Sequence, residues 1–234
     1  MTAADESASR PTTGDRGLTA DNESALRPTT GDRGLTAADE SDLRPTAGDR
    51  PAAAAAGLVL AAGEGRRFGG PKQLARLDGR PLIEHALAAL RDLDRVVVVL
   101  GARADEVRAG ADLGATEVVV CRDWADGMSA SLRAGLGALA GADEVVILLA
   151  DQPLVGAAAV ARVRSAPGPA ARAVYAGTPG HPVVIRGPLL ERAGELRGDA
   201  GFRDLLGEAA EVECSDLADP RDIDTREDLE VVRR

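Results

Sequence analysis

The chain has almost no lysine: of its 28 lysine and arginine side chains, Lys72 is the only lysine. It is nearly as poor in aromatics, with one Trp, one Tyr and two Phe among 234 residues, so its 44% hydrophobic content is mostly Ala, Val and Leu. Such a core suits helices laid on a buried sheet. A broad basic surface is also missing. The net charge is −10 and the pI about 4.8, which argues against general nucleic-acid binding. A small anionic ligand stays open, because a local group of cations reverses the field inside one cleft. The two cysteines, Cys121 and Cys214, have no metal-type spacing and read as buried thiols of a reducing compartment. No apolar run approaches the roughly 18 residues of a membrane helix and no signal peptide is legible, so the expectation is a cytoplasmic protein with no membrane partner.

Residues 2–18, 19–35 and 36–52 repeat at a spacing of 17, each with Arg-Pro-Thr followed by Gly-Asp-Arg, as in Arg10-Pro11-Thr12 and Gly14-Asp15-Arg16. The unit is polar and carries too little apolar surface to offset the entropy of ordering. Residues 1–56 are expected to be a disordered tail, produced by tandem duplication or by a start codon assigned upstream of the real domain. Pro51 and the alanines at 52–56 mark the boundary, and residues 57–234 are expected to form one domain.

Within that domain strands and helices alternate. Strands are expected at 57–62, 95–100, 117–121, 144–150, 173–176 and 182–185, and helices at 81–93, 103–109, 129–140, 201–206 and 225–232. The valine run at 96–99 has the continuous apolar character of a strand buried on both faces. Thr225 stands as the N-cap of the last helix, with acids in its first turn. This alternation predicts an α/β fold, a mostly parallel Rossmann-like sheet in a three-layer αβα sandwich.

The loop after the first strand concentrates the chemistry. It reads Leu60-Ala61-Ala62-Gly63-Glu64-Gly65-Arg66-Arg67-Phe68-Gly69-Gly70-Pro71-Lys72. Open α/β sheets bind ligands at the carboxyl ends of their strands. Glycines let the backbone wrap a ligand and present N–H groups, while Arg66, Arg67 and Lys72 bring positive charge. A lysine where every other base is arginine offers a compact ammonium on a flexible stem, able to follow a phosphate. A Walker loop is excluded because Pro71 follows Gly70, and a dinucleotide fingerprint because Phe68 replaces its third glycine and no acid ends the second strand at Leu100-Gly101-Ala102. Asp151 ends the apolar strand 145–150 on the same sheet edge. A carboxylate beside a phosphate loop makes sense as a Mg²⁺ ligand; an N-cap or turn aspartate is the alternative.

Residues 60–72 resemble the signature of the MobA-like nucleotidyltransferases, LAAGxGxRxGxPK, and Asp151-Gln152-Pro153 resembles the metal-binding motif of that superfamily. Three further segments are similar to one branch, the molybdenum cofactor cytidylyltransferases. They are Trp124-Ala125-Asp126-Gly127-Met128-Ser129-Ala130-Ser131-Leu132, Gly180-His181-Pro182-Val183 and Asp222-Ile223-Asp224-Thr225. Ala62 and Gln152 favour the cytidylyl over the guanylyl branch. Phe68 and Arg226 depart from the residues relatives often carry there, methionine and proline, without removing a charge.

The resemblance implies transfer of CMP from CTP to the phosphate of molybdenum-carrying molybdopterin, with release of pyrophosphate. Leu60, Ala61, Ala62, Gly63 and Gly65 would hold base and ribose. Arg66, Arg67 and Lys72 would hold the triphosphate, and Arg67, Lys72 and Asp151 would be the catalytic group. Mg²⁺ would be held by Asp151 with Asp222 as second ligand and Asp224 close behind; helix capping is the other reading of both. Ser129 caps a helix or touches substrate, His181 would face the pterin, and Asp199 caps a helix or lines the acceptor pocket. A molybdoenzyme or its chaperone would be a partner. Three alternatives remain: another NTP, a sugar phosphate or phospho-acid acceptor, and reuse of the fold as an oxidoreductase or nucleotide-binding partner. The chemistry needs no general base if the acceptor is an already ionised phosphate. The barrier is then repulsion between anions, which cations relieve.

Overall fold

In the computed structural model, residues 54–193 and 206–233 are described. Residues 1–53 of the expected tail, Asp199, and most of the helix expected at 201–206 lie outside them, while Ala55 and Ala56, expected in the tail, open the first strand instead. Seven strands form the central sheet: β1 (Ala55–Ala61), β4 (Arg95–Leu100), β5 (Glu117–Val120), β6 (Glu144–Leu149), β7 (Ala170–Tyr175), β8 (Thr178–Arg186) and β9 (Ala210–Glu213). Their order is β5-β4-β1-β6-β8-β7-β9, and a short ribbon pairs β2 (Arg76–Leu77) with β3 (Arg80–Pro81). Only β8 runs against its neighbours; the pairs β1–β4, β1–β6, β4–β5 and β7–β9 are parallel. The mostly parallel α/β architecture is therefore as the sequence predicts.

The inner strands β1, β4, β6 and β7 are mostly buried because they face apolar layers on both sides, and the period-2 alternation assigns each residue. Val59, Val98, Leu100, Val146 and Leu148 enter one core with α1 (Leu82–Ala89), α2 (Ala104–Gly110) and α4 (Ala157–Arg164). Leu58, Val97, Val99, Val145 and Ile147 enter the other with α3 (Met128–Ala138) and α5 (Pro188–Ala193). Small side chains in both layers bring helices close to the sheet, which compensates for the shortage of aromatics. Both cysteines are free and buried.

A third, smaller cluster joins Phe68, Leu77, Leu82, Ile223 and Leu229. It fastens the glycine-rich loop to the C-terminal segment that leads into α6 (Arg226–Val232). That helix opens with a capping box between Thr225 and Asp228. Residue 67 of the loop and residue 224 of the C-terminal segment thus flank buried anchors of one cluster.

Several boundaries move from expectation. The first helix stops at Ala89 rather than running to residue 93. His181, expected in a Gly-His-Pro turn, lies inside β8 instead. The strand absorbs it because the β7–β8 register jumps between Arg172 and Ala173, pairing Val183 and then Gly180 and leaving His181 and Pro182 unpaired as the bulge of β8.

Candidate active site

The carboxyl ends of β1 and β6 open onto a cleft of about 520 Å³, within the range of small-molecule sites. Its floor is the backbone of residues 60–65, and its apolar walls include Trp124, Met128 and Leu149. The loop shape has two backbone causes. Gly65 sits at φ +71°, and a Cβ there would stand 2.0 Å from the Gly70 carbonyl oxygen. A Cβ on Gly101 would meet the Ala62 oxygen at 2.4 Å and Trp124 Cβ at 2.8 Å, so the bare α-carbon lets the Trp124 turn close against the loop.

Lys72 begins a single 3-10 turn, Lys72–Leu74, directly after Pro71. Gln73 beside it is buried, and its amide donates to the carbonyls of Ala61 (2.7 Å) and Gly63 (2.9 Å). The amide thereby ties the floor of the cleft to the turn carrying the lysine. Its own Oε1 is buried without a partner.

At the phosphate-loop end four charged groups alternate. Lys72 Nζ lies 2.5 Å from Asp151 Oδ2 and 2.7 Å from Asp224 Oδ1, and Arg67 Nη2 lies 2.8 Å from Asp224 Oδ2. The Lys72 side chain is 13% exposed, against 73% for Arg67. Burial alone would lower the Lys72 pKa, but the charges and hydrogen bonds of Asp151 and Asp224 hold it above its ordinary value. The ammonium is therefore fixed as a cation at neutral pH.

Asp224 reaches this point through a backbone latch. Ile223 N–H donates to the Asp151 carbonyl at 2.9 Å, and the Ile223 side chain is fully buried. Asp222, on the other flank, accepts from Gln152 Nε2 at 2.9 Å. Partial desolvation, then the charge of Asp151, push the Asp222 carboxyl above the usual range. The structure thus separates the two aspartates: Asp224 joins Lys72 and Asp151, and Asp222 meets the amide next door. Two carboxylates converging on one ammonium are hard oxygen donors. They suit a divalent cation that takes one or two carboxylates and completes its shell with phosphate. Among the described residues no group of three His, Cys, Asp or Glu side chains forms a metal cage.

The remaining expected residues divide. Leu60, Ala61, Ala62, Gly63, Gly65, Arg66 and Lys72 all line the cleft. Ser129 is buried and its Oγ accepts from Arg133, whereas Ser131, two residues on, lines the cleft. His181 lies outside the cleft lining, with its Nε2 buried and unpartnered. Burial lowers its pKa to about 4, with Asp151 pulling weakly the other way, so it is neutral at pH 7. Its carbonyl accepts from Tyr175 Oη at 2.6 Å. Phe68, which stands at the third fingerprint glycine, is buried with Arg226 5.3 Å above its ring. Sequence reasoning assigned no role to Gln73, Ser131 or Trp124. The legible signals were a glutamine adjoining the sole lysine, and a Gly-Met-x-x-Ser spacing that sets Met128 and Ser131 on one helical face.

The family model of the MobA-like NTP transferase domain matches residues 57–212. The chain is 36% identical to "Nicotine blue oxidoreductase" of Paenarthrobacter nicotinovorans over 190 residues, 74% of this chain and 93% of that protein. It is 33% identical to "Purine catabolism protein PucB" of Bacillus subtilis (strain 168), over 76% of this chain and 95% of the relative. Among solved structures, Rv0371c of Mycobacterium tuberculosis H37Rv in complex with manganese superposes with a TM-score of 0.63 at 31% identity, covering 76% of this chain and 97% of that one.

Proposed function

This chain belongs to the MobA-like NTP transferase family, and from that premise we propose that it transfers CMP from CTP to the phosphate of molybdenum-loaded molybdopterin. The observation that carries the reading is Lys72 held between Asp151 and Asp224 at the end of the glycine loop. Cations and metal-type carboxylates meet there at the mouth of a nucleotide-sized cleft. The pterin acceptor is supported by the three segments that resemble the cytidylyltransferase branch. Trp124, Met128 and Ser131 line the cleft, the charge of Asp151 acts on His181, and Asp224 binds Lys72.

In this reading the backbone of residues 60–65 holds the nucleoside, with Trp124, Met128 and Leu149 covering its apolar faces. Lys72 and Arg67 take the β- and γ-phosphates and keep the developing pyrophosphate neutralised. An ionised acceptor oxygen attacks the α-phosphorus, the new P–O bond forms as the bond to the β-phosphate bridge breaks, and pyrophosphate leaves with the electron pair. Asp151 and Asp224 would hold a divalent cation, which would supply Lewis-acid charge to the phosphates. The manganese in the Rv0371c structure supports a divalent ion in this fold. Gln73 keeps nucleoside floor and lysine in register, since misplacement by about 1 Å costs on the order of 10²-fold in rate.

A second reading is favoured by one observation, the similarity to an oxidoreductase over nearly that protein's whole length. Against it stand the buried Phe68 in place of the fingerprint glycine and the absence of an acid at the end of β4, where Leu100-Gly101-Ala102 stands. Incubation of the purified protein with Mg²⁺, CTP and molybdenum-loaded molybdopterin, read by mass spectrometry, is expected to give the pterin–CMP product. Oxidation of NADH or NADPH with a dye acceptor, and no nucleotide adduct with any NTP, would replace this reading with the oxidoreductase one.

A further inference from the structure

Both carboxylates to which the transferase reading gives the divalent cation already hold a protein cation. Lys72 Nζ sits 2.5 Å from Asp151 Oδ2 and 2.7 Å from Asp224 Oδ1, and Arg67 Nη2 takes the second oxygen of Asp224 at 2.8 Å. A divalent cation approaching Asp151 and Asp224 therefore competes with the ammonium for the same oxygens and meets its positive charge at close range. A triphosphate changes that balance. Its oxygens are alternative partners for Lys72 and Arg67, and the four-carbon lysine stem lets the ammonium move to them without rearranging the backbone. With the cations on phosphate, Asp151 and Asp224 would have oxygens free to hold a divalent cation together with the phosphate oxygens.

We propose that Lys72 is a built-in competitor for the metal carboxylates, so that nucleotide and divalent cation bind synergistically, the cation entering with the nucleotide rather than ahead of it. This rests on the transferase reading of the site. Linkage makes the coupling reciprocal: the factor by which nucleotide tightens the cation equals the factor by which the cation tightens nucleotide. Lys72 thereby has two functions, neutralising phosphate when nucleotide is bound and guarding the carboxylates when it is not. Removing it has opposite effects on the two ligands, which a simple phosphate-binding lysine would not produce.

The test measures Mn²⁺ binding to the full chain by the paramagnetic resonance signal of free Mn²⁺, alone and with α,β-methylene-CTP, after subtracting the Mn²⁺–nucleotide complex formed in buffer. In the wild type the analogue is expected to tighten Mn²⁺ at least about tenfold. Lys72→Met is expected to tighten Mn²⁺ alone by about tenfold, by removing the competing charge, while weakening the nucleotide. Arg67→Met, at an exposed side chain that the core does not need, is expected to tighten Mn²⁺ alone about two- to threefold and serves if Lys72→Met fails to fold. Unchanged or weaker Mn²⁺ binding in the folded variants overturns the proposal. Equal Mn²⁺ affinity with and without nucleotide, in a protein that still releases pyrophosphate, removes the competition and leaves the transferase reading intact. No Mn²⁺ uptake under any condition, together with no turnover of any NTP, removes both.

Discussion

Asp222 and Asp224 differ by two positions and carry the same charge, yet their surroundings predict opposite responses to the same isosteric change. Asp224→Asn keeps the shape but removes the charge that faces Lys72 at 2.7 Å and Arg67 at 2.8 Å. The Arg67 contact is with a mostly exposed guanidinium and is worth about 0–1 kcal/mol. The Lys72 contact is part-buried, and Asp224 shares the ammonium with Asp151. Losing one preorganised charge of this kind costs about 2.7–4 kcal/mol in the transition state, a fall of 10²–10³ in kcat/KM. Asp222→Asn retains an amide oxygen able to accept from Gln152 Nε2 at 2.9 Å. It also removes a negative charge from beside Asp151, so kcat/KM is expected to stay within about threefold of wild type, or about 0.7 kcal/mol. The assay is initial pyrophosphate release with CTP, Mg²⁺ and the pterin acceptor at subsaturating substrate. A larger loss in Asp222→Asn than in Asp224→Asn, or equal losses in both, refutes the assignment of Asp224 to the reacting phosphates.

Three other perturbations follow from the same geometry. Gln73→Ala strips the buried carbonyl of Ala61 and the carbonyl of Gly63 of the amide donor; it is expected to lower unfolding free energy by about 1–3 kcal/mol and to raise the KM for nucleotide more than it lowers kcat, and a pure kcat effect in steady-state kinetics would contradict the clamp. Gly65→Ala forces a Cβ to 2.0 Å from the Gly70 oxygen at φ +71°; the turn must open, nucleotide binding measured by calorimetry is expected to vanish, and retained binding would show the loop to be dispensable. His181 has its pKa lowered to about 4, so below its ordinary value of about 6.5 the unfolded chain takes up a proton that the folded one refuses. Stability therefore falls as pH drops from about 6.5 to 4, by at most about 1.4 kcal/mol per pH unit from this group; urea unfolding of His181→Gln is expected to show a shallower acid slope, and identical slopes would deny the burial penalty.

Much of the fold is legible because its central strands are buried on both faces. The runs at 95–100 and 144–149 are near-continuous Val, Ile and Leu and have no other stable use. Elements with weaker apolar patterns escape the same reading. The helix Ala157–Arg164 is half alanine, broken by two valines and two arginines, and β9, Ala210–Glu213, is an acidic edge strand that packs mainly through Val212. For the site, Lys72 and Asp151 are visible because each follows an apolar strand at its carboxyl end. The choice between Asp222 and Asp224 is not, since it depends on Ile223 entering the cluster with Phe68 and Leu229, which leaves one flank to Gln152 and the other to Lys72. Gln73 is equally hidden: its acceptors lie 10 and 12 residues upstream and are backbone oxygens, which no residue pattern encodes. Ser129 and Ser131 share one sequence segment, and only the helix phase sends one inward to Arg133 and the other to the cleft wall.

The most direct measurement is pyrophosphate release by the purified protein with Mg²⁺ and each of the four NTPs, with and without molybdenum-loaded molybdopterin, alongside Lys72→Ala and Asp151→Ala. Turnover with CTP that requires the pterin and disappears in both variants is the predicted result. Turnover that survives both substitutions, or no turnover with any nucleotide, would contradict a transferase built on the Lys72–Asp151 pair.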